Sequence, residues 1–109
     1  MKNDRYCMVM VTVPNRDEAG RITKRLLSKK LAACVNEIED LNSTFLWKGA
    51  VDQAEELLLI IKTRTVLLEQ LEVEVRAEHS YEVFEIIAIP IFWTHKPYAD
   101  WIDSETAAN

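Results

Sequence analysis

The sequence predicts an α+β domain in which strands and helices follow the order β-α-β-β-α-β. Three observations carry this prediction. An apolar, β-branched run is followed by a helical pattern. Two long strand-like segments then meet at Lys48-Gly49, and a second helical pattern leads into a last apolar strand. This order is that of the ferredoxin-like split βαβ sandwich, in which two helices cover one face of one sheet. A long hairpin between the second and third strands and a short C-terminal helix complete the prediction.

The first strand and the first helix are predicted from the segment before residue 32. Residues 6–13 (YCMVMVTV) are almost all apolar, which predicts a strand buried on both faces in the middle of the sheet. Asn15 and Glu18 then form a capping-box-like pair at a helix start. Residues 16–31 place their apolar side chains on one stripe, which predicts a helix over that range.

The two middle strands are unusually long. Residues 33–47 and 51–62 are predicted as the two arms of a hairpin that turns at Lys48-Gly49. Each arm is about twice the modal strand length of about 5–6 residues, so the distal half of the hairpin extends beyond the helices. Because an uncovered ribbon with free edges needs a partner, the hairpin predicts association with further copies of the same chain.

The rest of the chain supplies one helix, one strand and a terminal helix. Residues 64–77 carry apolar side chains three and four apart, which predicts an amphipathic helix. Residues 83–89 are predicted as the last strand. The tail predicts a short helix that begins near Pro97, with residues 104–109 frayed.

Composition bounds the function classes. The 109 residues fit one domain over 1–109, and the formal net charge of -5 argues against nucleic acid as a partner. No apolar run approaches the ~18–20 residues that cross a bilayer, and the N-terminus lacks the apolar core of a signal peptide, which predicts a cytoplasmic chain without membrane insertion. Cys7 and Cys34 have no CxxC spacing and are expected to be buried free thiols.

His79 is the sharpest candidate for a metal ligand. Imidazole is a common ligand for Cu and Zn, and Glu78 and Glu82 flank this residue. The alternative role of His79 is a cap or a hydrogen-bonded residue at the junction between helix and strand. His95 precedes Pro97 in a predicted loop and is expected to be exposed.

Glu85 is a carboxylate inside a mostly apolar strand. Such a group must be paired, hydrogen-bonded or directed into a cleft, since burial of an uncompensated charge is very unfavourable. Lys62 is a candidate partner, and a structural ion pair and a ligand-binding role remain the two alternatives. The residues predicted to line an intersubunit ligand cleft are Trp47, Glu56, Lys62, Tyr81, Glu85 and Trp101.

Motifs of known enzyme classes are missing from the sequence. It contains no Ser-His-Asp arrangement, no nucleotide-binding glycine pattern and no HExxH helix. The sequence therefore predicts a binding or assembly protein and not an enzyme.

Five short motifs together resemble one known family. They are LAACVN at 31–36, WKG at 47–49, LLIIKT at 58–63, HSYEVFEI at 79–86 and YADW at 98–101. In this order and spacing they resemble the CutA family of divalent-cation tolerance proteins. The resemblance implies a ferredoxin-like domain that forms a homotrimer through its long hairpins, similar in architecture to PII signalling proteins. It also implies a role in tolerance to copper and other divalent cations without enzymatic activity. Animal relatives are linked to the assembly or anchoring of a membrane-associated enzyme, so a protein partner remains to be identified.

The sequence departs from the family pattern near His79. The family usually has HPYEVPEI, whereas Ser80 and Phe84 stand here in place of the two prolines. The resemblance implies that the copper ligands of bacterial members, one cysteine and two adjacent histidines, correspond to Val11, Glu78 and His79. With only His79 retained, the ligands suit weak binding of Cu(II) or Zn(II) through imidazole and carboxylate. The alternative functions are a PII-like small-molecule sensor and an assembly or scaffold trimer with no metal role.

Overall fold

The computed structural model describes residues 4–107 and contains a four-stranded antiparallel sheet with the strand order β2-β3-β1-β4. The strands are β1 (Tyr6–Val13), β2 (Cys34–Trp47), β3 (Ala50–Arg64) and β4 (Ile86–Pro90). The helices are α1 (Arg16–Ser28), α2 (Leu68–Glu78) and α3 (Lys96–Glu105). The α+β class and the β-α-β-β-α-β order with a C-terminal helix are therefore confirmed.

The core lies between the sheet and the helices α1 and α2. Its fully buried side chains include Val9, Val11, Leu59 and Ile61 from the sheet and Ile22, Leu26, Leu71 and Val75 from the helices. In β1 the buried residues alternate with half-buried ones such as Met8 and Met10. Burial of β1 on both faces was predicted and is wrong within this chain, because the helices cover only one face of the sheet.

Helix α1 has a side-chain cap at its start and a backbone cap at its end. The Glu18 amide donates to Asn15 Oδ1 at 2.9 Å, as the capping pattern predicts. The helix ends at Ser28, three residues earlier than predicted, because Lys30 has a φ of 58°. The Leu31 amide then donates to the Leu26 carbonyl at 2.9 Å, which satisfies a free helix-end acceptor.

The long hairpin is built as the sequence predicts. Trp47 pairs with Ala50, and the two residues between them, Lys48 and Gly49, have φ angles of 52° and 82°. Two consecutive positive φ angles are the geometry of a two-residue turn that matches strand twist. The register of β2 against β3 shifts between Ile38 and Leu41, which marks an irregularity in the ladder.

Three further predicted boundaries are wrong. Thr65–Leu67 forms a 3₁₀ turn, so α2 begins at Leu68 and not at residue 64. The last strand begins at Ile86 and not at residue 83, because the preceding segment bends to place its side chains against His79. Residues 104 and 105 are helical, and Thr106 is buried and accepts a hydrogen bond from Arg64 Nε at 2.8 Å. Fraying therefore does not begin at residue 104, and residues 108–109 lie outside the described part of the chain.

Two further expectations concern the cysteines and the bilayer. Cys7 and Cys34 are both free, and Cys7 is buried as predicted, which raises the pKa of its thiol. Cys34 is only half-buried, because it begins β2 at the edge of the sheet. None of the helices within residues 4–107 is long and apolar enough to span a membrane.

Candidate functional site

His79 caps the C-terminal end of α2, and its side chain is 0% exposed. Its Nε2–H donates to the carbonyl of Thr12 at 2.8 Å, since a carbonyl oxygen can only accept. The other ring nitrogen, Nδ1, accepts from the Tyr81 amide at 3.1 Å and lies 3.2 Å from Glu18 Oε2. Both ring nitrogens therefore have partners in the protein.

Glu18 is the residue of this site that the sequence pattern did not reveal. Its side chain is 2% exposed, and its Oε2 also accepts from the Ser80 amide at 3.0 Å. The Asn15–Glu18 spacing suggested a carboxylate that turns back to its own helix. The carboxylate instead binds the segment after α2, and only the fold brings that segment to α1.

Two aromatic rings complete the surroundings of His79. The Phe84 ring stacks on the imidazole with 4.8 Å between centroids and 16° between planes. The Tyr81 ring lies at 4.9 Å and 47°. Residues 79–85 are therefore fixed over the end of β1 by a buried imidazole, a buried carboxylate and a stacked ring.

The predicted metal ligands are not close to one another around a common point. The Glu78 carboxylate lies 2.6 Å from Arg25 Nη1 and 3.3 Å from Arg21 Nε, so it joins α2 to α1. Glu82 is exposed at the rim of a cavity. Within residues 4–107, no group of three or more His, Cys, Asp or Glu side chains is arranged to hold a metal ion. The assignment of His79, Glu78 and Glu82 as metal ligands stays a prediction.

Tyr81 and Glu56 form the second polar pair of the site. The Tyr81 hydroxyl donates to Glu56 Oε2 at 2.8 Å, and Glu56 is 7% exposed. Burial, and then the hydrogen bond to the Glu56 carboxylate, raise the pKa of Tyr81 to about 12. The phenol is therefore a neutral donor at physiological pH and holds the 79–85 segment to β3.

A cavity of about 1000 Å³ lies between the distal half of the hairpin and the segment that follows His79. Its aromatic walls are Phe45, Trp47 and Tyr81. Four carboxylates also line it: Asp52, Glu56, Glu82 and Glu85. No lysine or arginine stands among the lining residues that the structure describes. This arrangement can receive a cationic or aromatic small molecule.

Comparison with known proteins identifies the family to which this chain belongs. Residues 7–105 match the sequence profile of the family described as "CutA1 divalent ion tolerance protein". The chain belongs to the CutA1 family.

Similar CutA proteins come from plants, bacteria and archaea. The chain is 43% identical over 99 residues to "Protein CutA 1, chloroplastic" of Oryza sativa subsp. japonica. These aligned residues make up 91% of this chain and 56% of the rice protein. It is 47% identical over 95 residues to "Divalent-cation tolerance protein CutA" of Archaeoglobus fulgidus, covering 87% and 92% of the two chains. The solved CutA1 structure from Thermus thermophilus superposes with a TM-score of 0.92 at 40% identity, over 94% of this chain and 99% of that one. This chain therefore spans only about half the length of its plant relative but nearly all of its archaeal and bacterial ones.

Within this CutA chain, four of the six predicted cleft residues line the cavity: Trp47, Glu56, Tyr81 and Glu85. Lys62 and Trp101 are not among the lining residues. Lys62 Nζ instead contacts Asn36 Oδ1, and Trp101 packs against Tyr98 with 5.4 Å between ring centroids. A cleft between subunits that includes all six stays a prediction.

Within residues 4–107 of a single chain, the predicted ion pair between Lys62 and Glu85 does not form, and a pair across a subunit interface stays a prediction. Lys62 lies in register with Met8 and Cys34, near the end of the sheet where β1 begins. Glu85 precedes β4, whose first residue pairs with Val11 near the other end of β1. Among residues 4–107, Glu85 has neither a hydrogen bond nor an ion pair, and its carboxylate is exposed to the cavity instead of buried.

Proposed function

We propose that this CutA-family chain acts in the tolerance of divalent cations as a cytoplasmic homotrimer that binds a ligand and catalyses no reaction. The observation that carries the assembly is the uncovered face of the sheet. The family match over residues 7–105 supports the tolerance role. The compartment is part of the proposal, because the plant relative is named chloroplastic and the Archaeoglobus fulgidus structure is described as periplasmic.

The uncovered face of the sheet is mostly apolar. By strand alternation it carries Met8 and Met10 of β1, Leu58 and Ile60 of β3, Ile38 of β2, and Ile87 and Ile89 of β4. Ile38, Ile87 and Ile89 are 45%, 47% and 39% exposed in the single chain. A large apolar face of this kind supports burial against further copies of the same chain.

Native mass spectrometry of the purified chain tests the assembly. At micromolar concentration we expect a single species with three times the mass of the chain. A stable monomer at that concentration would contradict the homotrimer, and a stable dimer would contradict the subunit number.

Weak binding of Cu(II) or Zn(II) is the metal part of the proposal, with His79, Glu78 and Glu82 as the contact residues. Weak affinity is expected because the buried imidazole must first give up its bonds to Thr12 and Tyr81. Isothermal calorimetry with copper(II) chloride and zinc chloride tests it on the wild type, on His79→Ala and on Glu82→Gln.

Glu82→Gln gives the metal test a variant at an exposed position, since removal of the buried His79 affects folding as well. The exposed Glu69 on α2 provides a matched control, as Glu69→Gln. No saturable heat with the wild type, or equal binding by all variants, would remove the metal role.

A small-molecule sensor is the second candidate function, and the cavity beside the hairpin is the observation that favours it. Its volume of about 1000 Å³ falls at the upper end of the range of small-molecule sites, and its walls combine aromatic rings with carboxylates. A ligand that raises the melting temperature of the wild type and not that of Glu85→Ala would support this function. An assembly or scaffold trimer remains if neither a metal nor a small molecule binds.

A further inference from the structure

We infer that residues 79–85 form a strap that must open before His79 can contact a metal ion, and that the hydrogen bond between Tyr81 and Glu56 is the latch of this strap. The inference rests on the metal part of the proposed function and adds the control of access to His79. Its basis is a set of contacts made within one chain, at side chains that are already buried there.

The His79 imidazole cannot reach a metal ion while the strap is closed. Its side chain is 0% exposed, and its Nε2–H donates to the Thr12 carbonyl at 2.8 Å. Its Nδ1 accepts from the Tyr81 amide at 3.1 Å. A metal ion binds a nitrogen lone pair, and in this tautomer the available lone pair, on Nδ1, is already in use. Contact with a metal ion therefore requires that the strap move away from the ring.

The donor types beside His79 suit Cu(II) or Zn(II) once the strap is open. Imidazole nitrogens and carboxylate oxygens are ligands of such ions, and Glu18 Oε2 lies 3.2 Å from Nδ1. Glu18 is 2% exposed, and its Oε2 also accepts from the Ser80 amide of the strap at 3.0 Å. The closed strap thus occupies both a nitrogen donor and the carboxylate beside it.

The latch joins the strap to β3. The Tyr81 hydroxyl donates to Glu56 Oε2 at 2.8 Å, and Glu56 is 7% exposed. A bond to a buried carboxylate is charge-assisted and therefore strong. Residues 79–85 contain neither helix nor strand, so bonds to side chains hold them in place instead of a backbone ladder. Because the Tyr81 amide also donates to His79, release of Tyr81 frees Nδ1.

Closure of the strap and binding of a metal ion compete, and this competition gives the inference its direction. The apparent dissociation constant equals the intrinsic one divided by the fraction of chains with an open strap. Loss of the Tyr81 hydroxyl raises that fraction, because the closed state would then bury Glu56 without a donor. Its removal should therefore strengthen metal binding, whereas removal of a group that supports the metal site would weaken it.

Hydrogen exchange of the metal-free full chain tests the strap itself. The Ser80 and Tyr81 amides donate to Glu18 and His79 in the closed state. In Tyr81→Phe these two amides should exchange about tenfold faster, as expected for the loss of one hydrogen bond to a charged group. The Glu18 amide, which donates to Asn15 Oδ1, should keep its rate. Unchanged rates at 80 and 81 would overturn the strap.

Glu56→Ala removes the acceptor of the latch and provides a second variant. It should raise the same two rates about as much as Tyr81→Phe does, and the double variant should exceed neither, because both changes remove one bond. Tyr98→Phe is the matched control, since it removes a hydroxyl from α3 and should leave both rates unchanged. Additive effects of Tyr81→Phe and Glu56→Ala would overturn the shared latch.

Calorimetry with zinc chloride at neutral pH and fixed ionic strength tests the control of access. We expect Tyr81→Phe to bind zinc about tenfold more tightly than the wild type does. Tyr98→Phe should bind zinc as the wild type does. Addition of His79→Ala to Tyr81→Phe should abolish the gain in affinity.

The possible failures are distinguishable. Equal or weaker zinc binding by Tyr81→Phe would overturn the control of access and leave the metal role standing. A gain in affinity that survives His79→Ala would mean that zinc binds at another site, and would also overturn the inference. Absence of zinc binding by every variant would overturn both the inference and the metal part of the proposed function.

Discussion

The two histidines of the chain have opposite environments, and this contrast defines the site at the scale of single residues. The His79 side chain is fully buried, bonded through both ring nitrogens and stacked on Phe84. His95 is exposed before α3, and its side chain makes no capping hydrogen bond. His79 therefore stabilises the fold of this chain through buried contacts, which an exposed metal-binding histidine would not do.

Alanine at the two histidines gives the first prediction. His79→Ala should lower the free energy of unfolding by about 2–4 kcal/mol, because it leaves a cavity and unpaired polar groups. His95→Ala should change it by less than about 0.5 kcal/mol, as expected for an exposed side chain. Urea unfolding at neutral pH measures both. Equal losses for the two variants would contradict the buried network around His79.

Tyr81 provides a prediction for alkaline pH. Its pKa is about 12 in the folded chain, chiefly through burial and then through Glu56, against about 10 for an unfolded tyrosine. Between these values the folded chain holds a proton that the unfolded chain has lost. This stabilising contribution is complete below about pH 10 and is lost as the pH rises through about 12.

Urea unfolding from pH 8 to pH 12 should therefore show a steeper loss of stability for the wild type than for Tyr81→Phe. Burial also raises the pKa values of Tyr6 and Tyr98, so both proteins keep some alkaline slope and the difference isolates Tyr81. Parallel curves for the two proteins would mean that the Tyr81 phenol titrates normally.

At this scale the sequence predicts the residue types of the site better than their partners. Trp47, Glu56, Tyr81 and Glu85 are recognisable because polar and aromatic residues interrupt apolar strands. Glu18 is not recognisable, since its partners at 79 and 80 are separated from it by more than half the chain. Its spacing from Asn15 also has a sufficient local explanation as a helix cap.

At the scale of elements, the two glycines of the chain have different conformational needs. Gly20 lies inside α1, where an added Cβ meets no atom within 4 Å. Gly49 also has free space, but its φ of 82° is one that side chains disfavour. The structure therefore predicts opposite effects of alanine at the two positions.

Gly20→Ala should stabilise the fold by about 0.5–1 kcal/mol, because alanine loses less conformational freedom in a helix. Gly49→Ala should destabilise it by about 1–2 kcal/mol, the cost of a left-handed conformation for an L-residue. Chemical denaturation of the two variants beside the wild type checks this prediction. A destabilised Gly20→Ala would indicate a neighbour that the single chain does not show.

How accurately an element boundary is predicted depends on how far away in the sequence the residues that end the element lie. The bounds of β1 are predicted correctly because Pro14 directly follows its apolar run. The hairpin is predicted because its turn is coded by two adjacent residues. The start of α2 is missed because Thr65–Leu67 satisfies a helical pattern in a tighter 3₁₀ turn. The end of α3 is missed because Thr106 is held by Arg64, a residue far from it in sequence.

At the scale of the whole molecule, substitutions on the uncovered face of the sheet test the proposed homotrimer. Ile87 of β4 is 47% exposed on this face, whereas Val73 is 54% exposed on α2. Ile87→Lys should raise the protomer concentration at which the assembly half-dissociates by about tenfold or more, because a lysine would be buried at the interface. Val73→Lys should leave that concentration unchanged.

Native mass spectrometry over a dilution series gives both concentrations. Intact assemblies for Ile87→Lys at every concentration would mean that subunits do not meet through this face. Dissociation of the Val73→Lys variant would point to the helical layer as the interface instead.

The two-residue turn at Lys48-Gly49 also has a consequence for the order of folding. The arms of the hairpin are adjacent in sequence, and hairpins close in about 1–10 μs. The pairing of Val11 with Ile86 must instead close a loop of about 75 residues, which is slower. During synthesis the hairpin also leaves the ribosome before β4 does. A nascent chain therefore displays Phe45, Trp47 and two free strand edges before Tyr81 can reach Glu56. In that interval the hairpin is the segment most exposed to pairing with the wrong neighbour.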